Sequence, residues 1–312
     1  MNIGKVQIKD KKTIEEIEIK DLRPSSHPES DSSFYDDLQQ HIDRAIKQNG
    51  IRDYNKGIYN HILKEQKNRK KVGFLEHLLI LIGQVKGVIK YRLKHGKSTF
   101  NRYENYHYES LDLLKSEGLF KIQNQIFRAI KGSARLELIH SVSELCKDID
   151  LPKVLEAGCG SGLNMYMLGC LSDNMEIHGF EYTNARLASC IVNLWHSRYK
   201  NNLFLADICN LNLEDNSYDV VFTNHVFEQL GQKNAEAALK EIWRVCKKGI
   251  VVCEPTIHGA NIFEKWRMRT LEYCEDLISI AKTFPDAEII TYKEDNIRYY
   301  PNTSYHLIVK KS

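Results

Sequence analysis

No cysteine precedes Cys146, although eight lie between there and Cys274. Their spacings contain no C-x-x-C pair and no Cys/His knot, which removes structural zinc and iron–sulfur clusters from the reading, and no metal ligand set is expected. Cys190, Cys246 and Cys253 stand in apolar surroundings and read as buried thiols, so an oxidised secreted framework has no support. Met1–Lys20 is charged and lacks the apolar core of a secretory signal. A cytoplasmic protein is expected. The apolar run Phe74–Ile82 is too short and too interrupted to span a bilayer. Charge of one sign is also scarce overall, with a formal net charge of +3.

What the chain does have is a glycine loop. Val154-Leu155-Glu156-Ala157-Gly158-Cys159-Gly160-Ser161-Gly162 follows a strand-like run and precedes a helix-like one, the context a nucleotide-cofactor loop requires. Glycine permits close backbone approach, and a helix N-terminus offers N–H donors. Ile177–Tyr182 reads as a strand ending in Glu181, 21 residues beyond Gly160. A carboxylate there can accept both hydroxyl hydrogens of a ribose. Asn202–Ile208 is another apolar segment ending in an acid, Asp207, and Ser217–His225 is a hydrophobic strand that turns polar at its end. A helix near Asn234–Cys246 and a strand at Ile250–Cys253 continue the alternation. Together these segments outline the C-terminal edge of a parallel α/β sheet.

On these motifs, Leu151–Ser312 resembles a class I S-adenosylmethionine-dependent methyltransferase. The resemblance implies a Rossmann-like, seven-stranded, mostly parallel sheet with an antiparallel last strand, preceded here by a helical N-terminal region. It implies S-adenosylmethionine as cofactor, with Glu156, Gly158 and Gly160 beside its methionine and ribose parts. Glu181 would hold the ribose hydroxyls, with Asp207 and Ile208 at the adenine and Asn224 and His225 on the sulfonium and acceptor sides. NAD(P) would use a similar glycine turn and ribose acid, so an oxidoreductase is the first alternative, but no convincing Tyr-x-x-x-Lys arrangement accompanies it. A non-catalytic scaffold on the same fold is the second. Thr223-Asn224-His225 differs from the Asn/Asp-Pro-Pro-Tyr/Phe pattern of enzymes that methylate nucleic-base nitrogens, which lowers the standing of a nucleic-acid methyltransferase.

Three stretches are expected along the chain: a flexible segment at 1–33, a basic helical extension at 34–120, and the methyltransferase domain with its leading helix at 121–312. Helical segments are expected at Phe34–Lys47, Tyr54–Lys71, Val72–Lys94, Glu109–Leu114 and Lys121–Lys147, the last with Ile126, Ile130, Leu136 and Ile139 on one apolar stripe. Between Arg44 and Arg102 stand fifteen Lys/Arg and three Asp/Glu, an excess that would attract an anionic partner. The apolar and cationic residues from Phe74 to Lys94 fit a helix buried in the fold, a homodimer contact, or peripheral contact with the inner face of a membrane.

The acceptor wall is expected from Arg102, Tyr103, Tyr106 and His107, and from Glu254 and His258 after the fifth strand. His225 is the candidate base, since imidazole accepts a proton near neutral pH, and Glu228 is placed to orient it. Arg298–Asn302 reads as a hairpin turn. Methyl transfer to oxygen of a small, glycan-like or carrier-bound acceptor, anionic in one version, is the favoured chemistry.

Overall fold

In the computed structural model the described residues are 5–7, 16–18, 32–51, 56–95, 108–200, 202–302 and 304–312. The short strands β1 (Lys5–Gln7) and β2 (Glu16–Glu18) pair antiparallel. Helices α1 (Ser32–Asn49) and α2 (Gly57–Glu65), strand β3 (Lys70–Lys71) and helix α3 (Phe74–His95) follow. Next come the hairpin β4 (Glu117–Ile122) and β5 (Gln125–Ile130) and then helix α4 (Leu136–Cys146). From there strands and helices alternate: β6 (Lys153–Ala157), α5 (Leu163–Leu171), β7 (Glu176–Glu181), α6 (Asn184–Asn193) and β8 (Leu203–Leu205). The second half holds β9 (Tyr218–Asn224), α7 (Gly231–Val245), β10 (Cys246–Pro255), α8 (Ile262–Thr270) and α9 (Ile278–Ala281). β11 (Ala287–Glu294), β12 (Arg298–Tyr299) and β13 (Ser304–Lys311) close the chain.

The main sheet has seven strands in the order β11-β13-β10-β9-β6-β7-β8. β10, β9, β6, β7 and β8 pair in parallel, and β13 runs antiparallel to both β10 and β11. This is the expected Rossmann-like sheet with its reversed final strand. The central strands are covered on both faces, so most of their positions are buried. Their side chains nevertheless divide with period two. Val154, Val220 and Val251 join the core shared with α4 and α5, while Leu155, Val221 and Val252 join the core shared with α7. All six are buried, and each such side chain contributes about 1.5–3 kcal/mol relative to exposure.

The region ahead of this sheet is not wholly helical. A second, antiparallel sheet runs β12-β4-β5-β3, so residue 120 falls inside a strand. Ile126 and Ile130 lie on β5, not on a helix shared with Leu136, and a 3-10 turn at Lys131–Arg135 separates them from α4. A further 3-10 turn spans Leu111–Lys115. Arg298 and Tyr299, expected in a simple hairpin turn, pair instead with Lys121 and Phe120 of β4. That pairing carries the end of the chain back over the carboxyl ends of the parallel strands.

Candidate active site

The loop between β6 and α5 turns sharply at Gly158 and Gly160, with φ of +69° and +58°. A Cβ at Gly158 would stand 2.6 Å from Val226 Cγ2, while one at Gly160 would meet nothing nearer than 3.9 Å. The first glycine therefore permits packing, and the second keeps an open edge beside the cavity. Gly160 N–H donates to Glu181 Oε1 at 2.7 Å, and Tyr182 N–H donates to Oε2 at 2.9 Å. Arg186 Nη1 lies 3.4 Å from the same Oε1. Glu181 thus joins the glycine loop to the end of β7.

These residues border a cavity of about 720 Å³ across the carboxyl ends of the parallel strands, which also receives Asp207, Ile208, Asn224 and His225. Its size falls in the range of small-molecule sites, about 300–1,000 Å³. Asp207 Oδ1 accepts from Cys209 N at 2.9 Å, which fixes the turn after β8, and Ile208 beside it is buried. Open α/β sheets bind ligands at this crevice, where strand order reverses.

Glu156 is buried at the floor of the site. Its Oε1 accepts from Asn164 Nδ2 at 2.6 Å, whereas Oε2 has no hydrogen-bond partner. Burial pushes its pKa up to about 8, against the opposing effects of the Asn164 hydrogen bond and the Arg135 charge. Arg135 in turn donates to Asn164 Oδ1 at 2.5 Å. On the neighbouring wall, Ser161 Oγ donates to Glu109 Oε2 at 2.9 Å. Sequence reasoning missed Arg135, which reaches the cavity only through tertiary folding.

His225 occupies the other end of the cavity with φ of +59°. Such a conformation costs a non-glycine residue about 1–3 kcal/mol and needs a surrounding structure to hold it. Here the holders are visible. His225 N–H donates to Cys253 O at 3.0 Å, ring Nδ1 lies 3.2 Å from Glu228 Oε2, and Nε2 lies 3.2 Å from Ser304 Oγ. The ring meets Tyr299 edge to face at 5.6 Å. Burial alone would lower the imidazole pKa, but the Glu228 charge and hydrogen bond, with Glu254 and Asp295 behind them, hold it above its ordinary value. Glu228 also accepts from Asn302 Nδ2 at 3.2 Å. The segment read as a hairpin turn therefore supplies two cavity residues, Tyr299 and Asn302.

Glu254 and His258 do not line this cavity. Strand alternation turns Glu254 to the same face as Val252, where its carboxylate accepts from Thr223 Oγ1 at 3.1 Å and Val226 N at 2.7 Å. Burial lifts its pKa to about 7, and its structural effect is to brace the turn that carries His225. His258 is held by Tyr292 and by Thr256 Oγ1 at 3.1 Å. Arg102, Tyr103, Tyr106 and His107 lie outside the described residues.

All eight cysteines are free, and the three read as buried thiols are buried. Cys253 Sγ donates to Asp295 Oδ2 at 2.9 Å, and one donor atom each from Cys253, Asp295 and His306 lies within 4.8 Å of the others. Strand pairing of Cys253 with His306 builds this group, and no sequence spacing announces it.

The residues present fit S-adenosylmethionine. Glu181 would accept from the ribose hydroxyls, Asp207 and Ile208 would flank the adenine, and the buried Glu156 Oε2, which has no hydrogen-bond partner, would accept from the ammonium of the methionine part. Residues 155–253 match a family model described as a methyltransferase domain. No curated protein matches the chain. Among solved structures, magnesium protoporphyrin IX methyltransferase from Synechocystis PCC 6803 with bound S-adenosylmethionine is 18% identical, covering 57% of this chain and 80% of that one at a TM-score of 0.43. The PH0226 protein from Pyrococcus horikoshii OT3 is 14% identical, covering 68% and 99% at 0.45. The cyclase SpnF is 15% identical, covering 59% and 83% at 0.45. None of these likenesses bears on the acceptor. Residues 155–253 thus match a methyltransferase domain, and they lie on a sheet of the order expected for the class I S-adenosylmethionine-dependent methyltransferases.

Proposed function

We propose that the protein methylates an oxygen of a small, glycan-like or carrier-bound acceptor, with His225 as the base. The observation that carries this reading is the single cavity into which Glu156, Gly160, Glu181 and Asp207 project from one side and His225, Glu228 and Tyr299 from the other. When bound, S-adenosylmethionine supplies a methyl group already activated on a sulfonium. The chain then has two tasks, alignment of the acceptor lone pair with the breaking carbon–sulfur bond and removal of the acceptor proton.

Glu228 orients the imidazole through Nδ1. Nε2, now facing the Ser304 hydroxyl, takes the acceptor proton as the new carbon–oxygen bond forms. Tyr299 supplies a flat wall beside the ring, and Arg135 supports an anionic acceptor by placing a guanidinium on the same cavity.

The test follows transfer of labelled methyl from S-adenosylmethionine into oxygen-bearing acceptors, anionic and neutral. An active wild type should lose about 10²–10⁴-fold in turnover as His225→Ala, the range for a lost general base, with cofactor affinity little changed. Its rate should rise with pH through an apparent pKa above the ordinary imidazole value, because the base works only when deprotonated. Equal turnover of wild type and variant at saturating acceptor would exclude the base role.

A further inference from the structure

Among the described residues, helix α3 is fastened to the domain along one side. Val88 packs with Met268, Leu271 and Tyr273, Glu76 accepts from Arg128 at 2.6 Å, and His77 Nε2 meets Tyr300 Oη at 3.0 Å. The opposite surface carries exposed apolar side chains. Phe74 is 82% exposed, Leu75 74%, Leu79 70% and Leu93 84%, with Leu78, Ile82 and Ile89 also exposed. At 100° per residue these positions fall on one continuous arc of the helix, and the exposed Lys86 and Lys90 lie on that same arc. Lys94 borders it, and Lys67, Arg69, Lys70 and Lys71 are exposed just before the helix begins. Glu76 is the one acid on α3 and is already paired with Arg128.

We infer that this face seats the protein on an anionic lipid surface, with α3 lying in the plane of the interface. The charge pattern selects this occupant. Apolar side chains enter the acyl boundary while lysines meet acidic headgroups, the arrangement of an interfacial helix. In a symmetric pair of copies the cation-bearing half of α3 would face either itself or the apolar half, and neither neutralises it. Exposed leucines gain nothing from a nucleic-acid backbone. No helix among the described residues is long and apolar enough to cross a membrane, and α3, with 22 residues, lies on the surface rather than through it. Because His77 touches Tyr300, next to the cavity residue Tyr299, the seat is joined to the wall of the active site.

The test uses the full chain and vesicles, without acceptor or cofactor, so its outcome is separate from that of the methyl-transfer reading. The wild type should sediment with phosphatidylcholine vesicles containing phosphatidylserine, stay in solution with phosphatidylcholine alone, and be released by salt. Lys86→Glu with Lys90→Glu should weaken binding at least about 25-fold, from roughly five-fold per lysine. Leu75→Asp with Leu79→Asp should abolish it. Both pairs sit on exposed surface outside the cavity, so S-adenosylmethionine affinity and the circular dichroism spectrum should match wild type. Absence of wild-type binding to anionic vesicles at low salt overturns the inference. So does a wild-type dimer, measured by light scattering, that the leucine pair splits while vesicle binding is unchanged.

Discussion

Glu156 illustrates how one side chain can link ligand binding to pH. Its folded pKa stands at about 8, above the 4.5 of a free carboxyl. A group raised in this way favours the folded state while protonated. Its contribution is full below 4.5 and is lost as pH climbs to about 8, because only the unfolded chain ionises across that interval. Ligand-free protein should therefore lose stability over this window, and Glu156→Gln should flatten the decline in denaturant titrations. An ammonium brought to the unpartnered Oε2 reverses the preference and favours the carboxylate. S-adenosylmethionine affinity should accordingly rise as pH approaches about 8, with a proton released on binding. Calorimetry in buffers of different ionisation enthalpy detects that release, and Glu156→Gln should abolish it. Glu156 was legible in the sequence through its place before the glycines. Its partners Asn164 and Arg135 were not, since the residue that satisfies a buried carboxylate is decided by packing.

Among the elements, the glycine loop is the most demanding piece of backbone. Gly158 combines a φ of +69° with a 2.6 Å approach of Val226 to any added Cβ. Gly158→Ala should cost about 2–4 kcal/mol from strain and overlap together. It should also weaken S-adenosylmethionine binding, because Val226 follows His225 in the braced turn. A variant with wild-type stability in urea would mean that the loop is softer than this geometry implies. Strands β6, β7, β9 and β10 were readable because each carries a buried apolar stretch that gives way to polar residues at its carboxyl end. The β4–β5 hairpin was not. Its two-residue turn places Gln123 at φ of +54°, where glycine or asparagine would have been the usual signal. Ile126 and Ile130 also share a four-residue spacing that suits a helix. The short strand Arg298–Tyr299 escaped notice because its partner is β4, far away in sequence.

For the whole molecule, two sheets converge on one cavity. The parallel sheet brings the proposed cofactor residues to its carboxyl edge, and the antiparallel sheet carries Tyr299 to the same cavity. The cofactor half of this arrangement was open to sequence reasoning, since its residues sit at fixed places relative to strands and glycines. The proposed acceptor half depends on which distant segments fold over the edge, and Glu254 and His258 do not line the cavity there. Parallel calorimetric titrations with S-adenosylmethionine, S-adenosylhomocysteine and NADH, on wild type and Glu181→Ala, test the central claim most directly. The wild type should bind the first two and not NADH, and the variant should lose about 100-fold in affinity while remaining folded, as befits hydrogen bonds to a charged acceptor. Binding of NADH alone, or near-wild-type affinity in Glu181→Ala, would contradict the account.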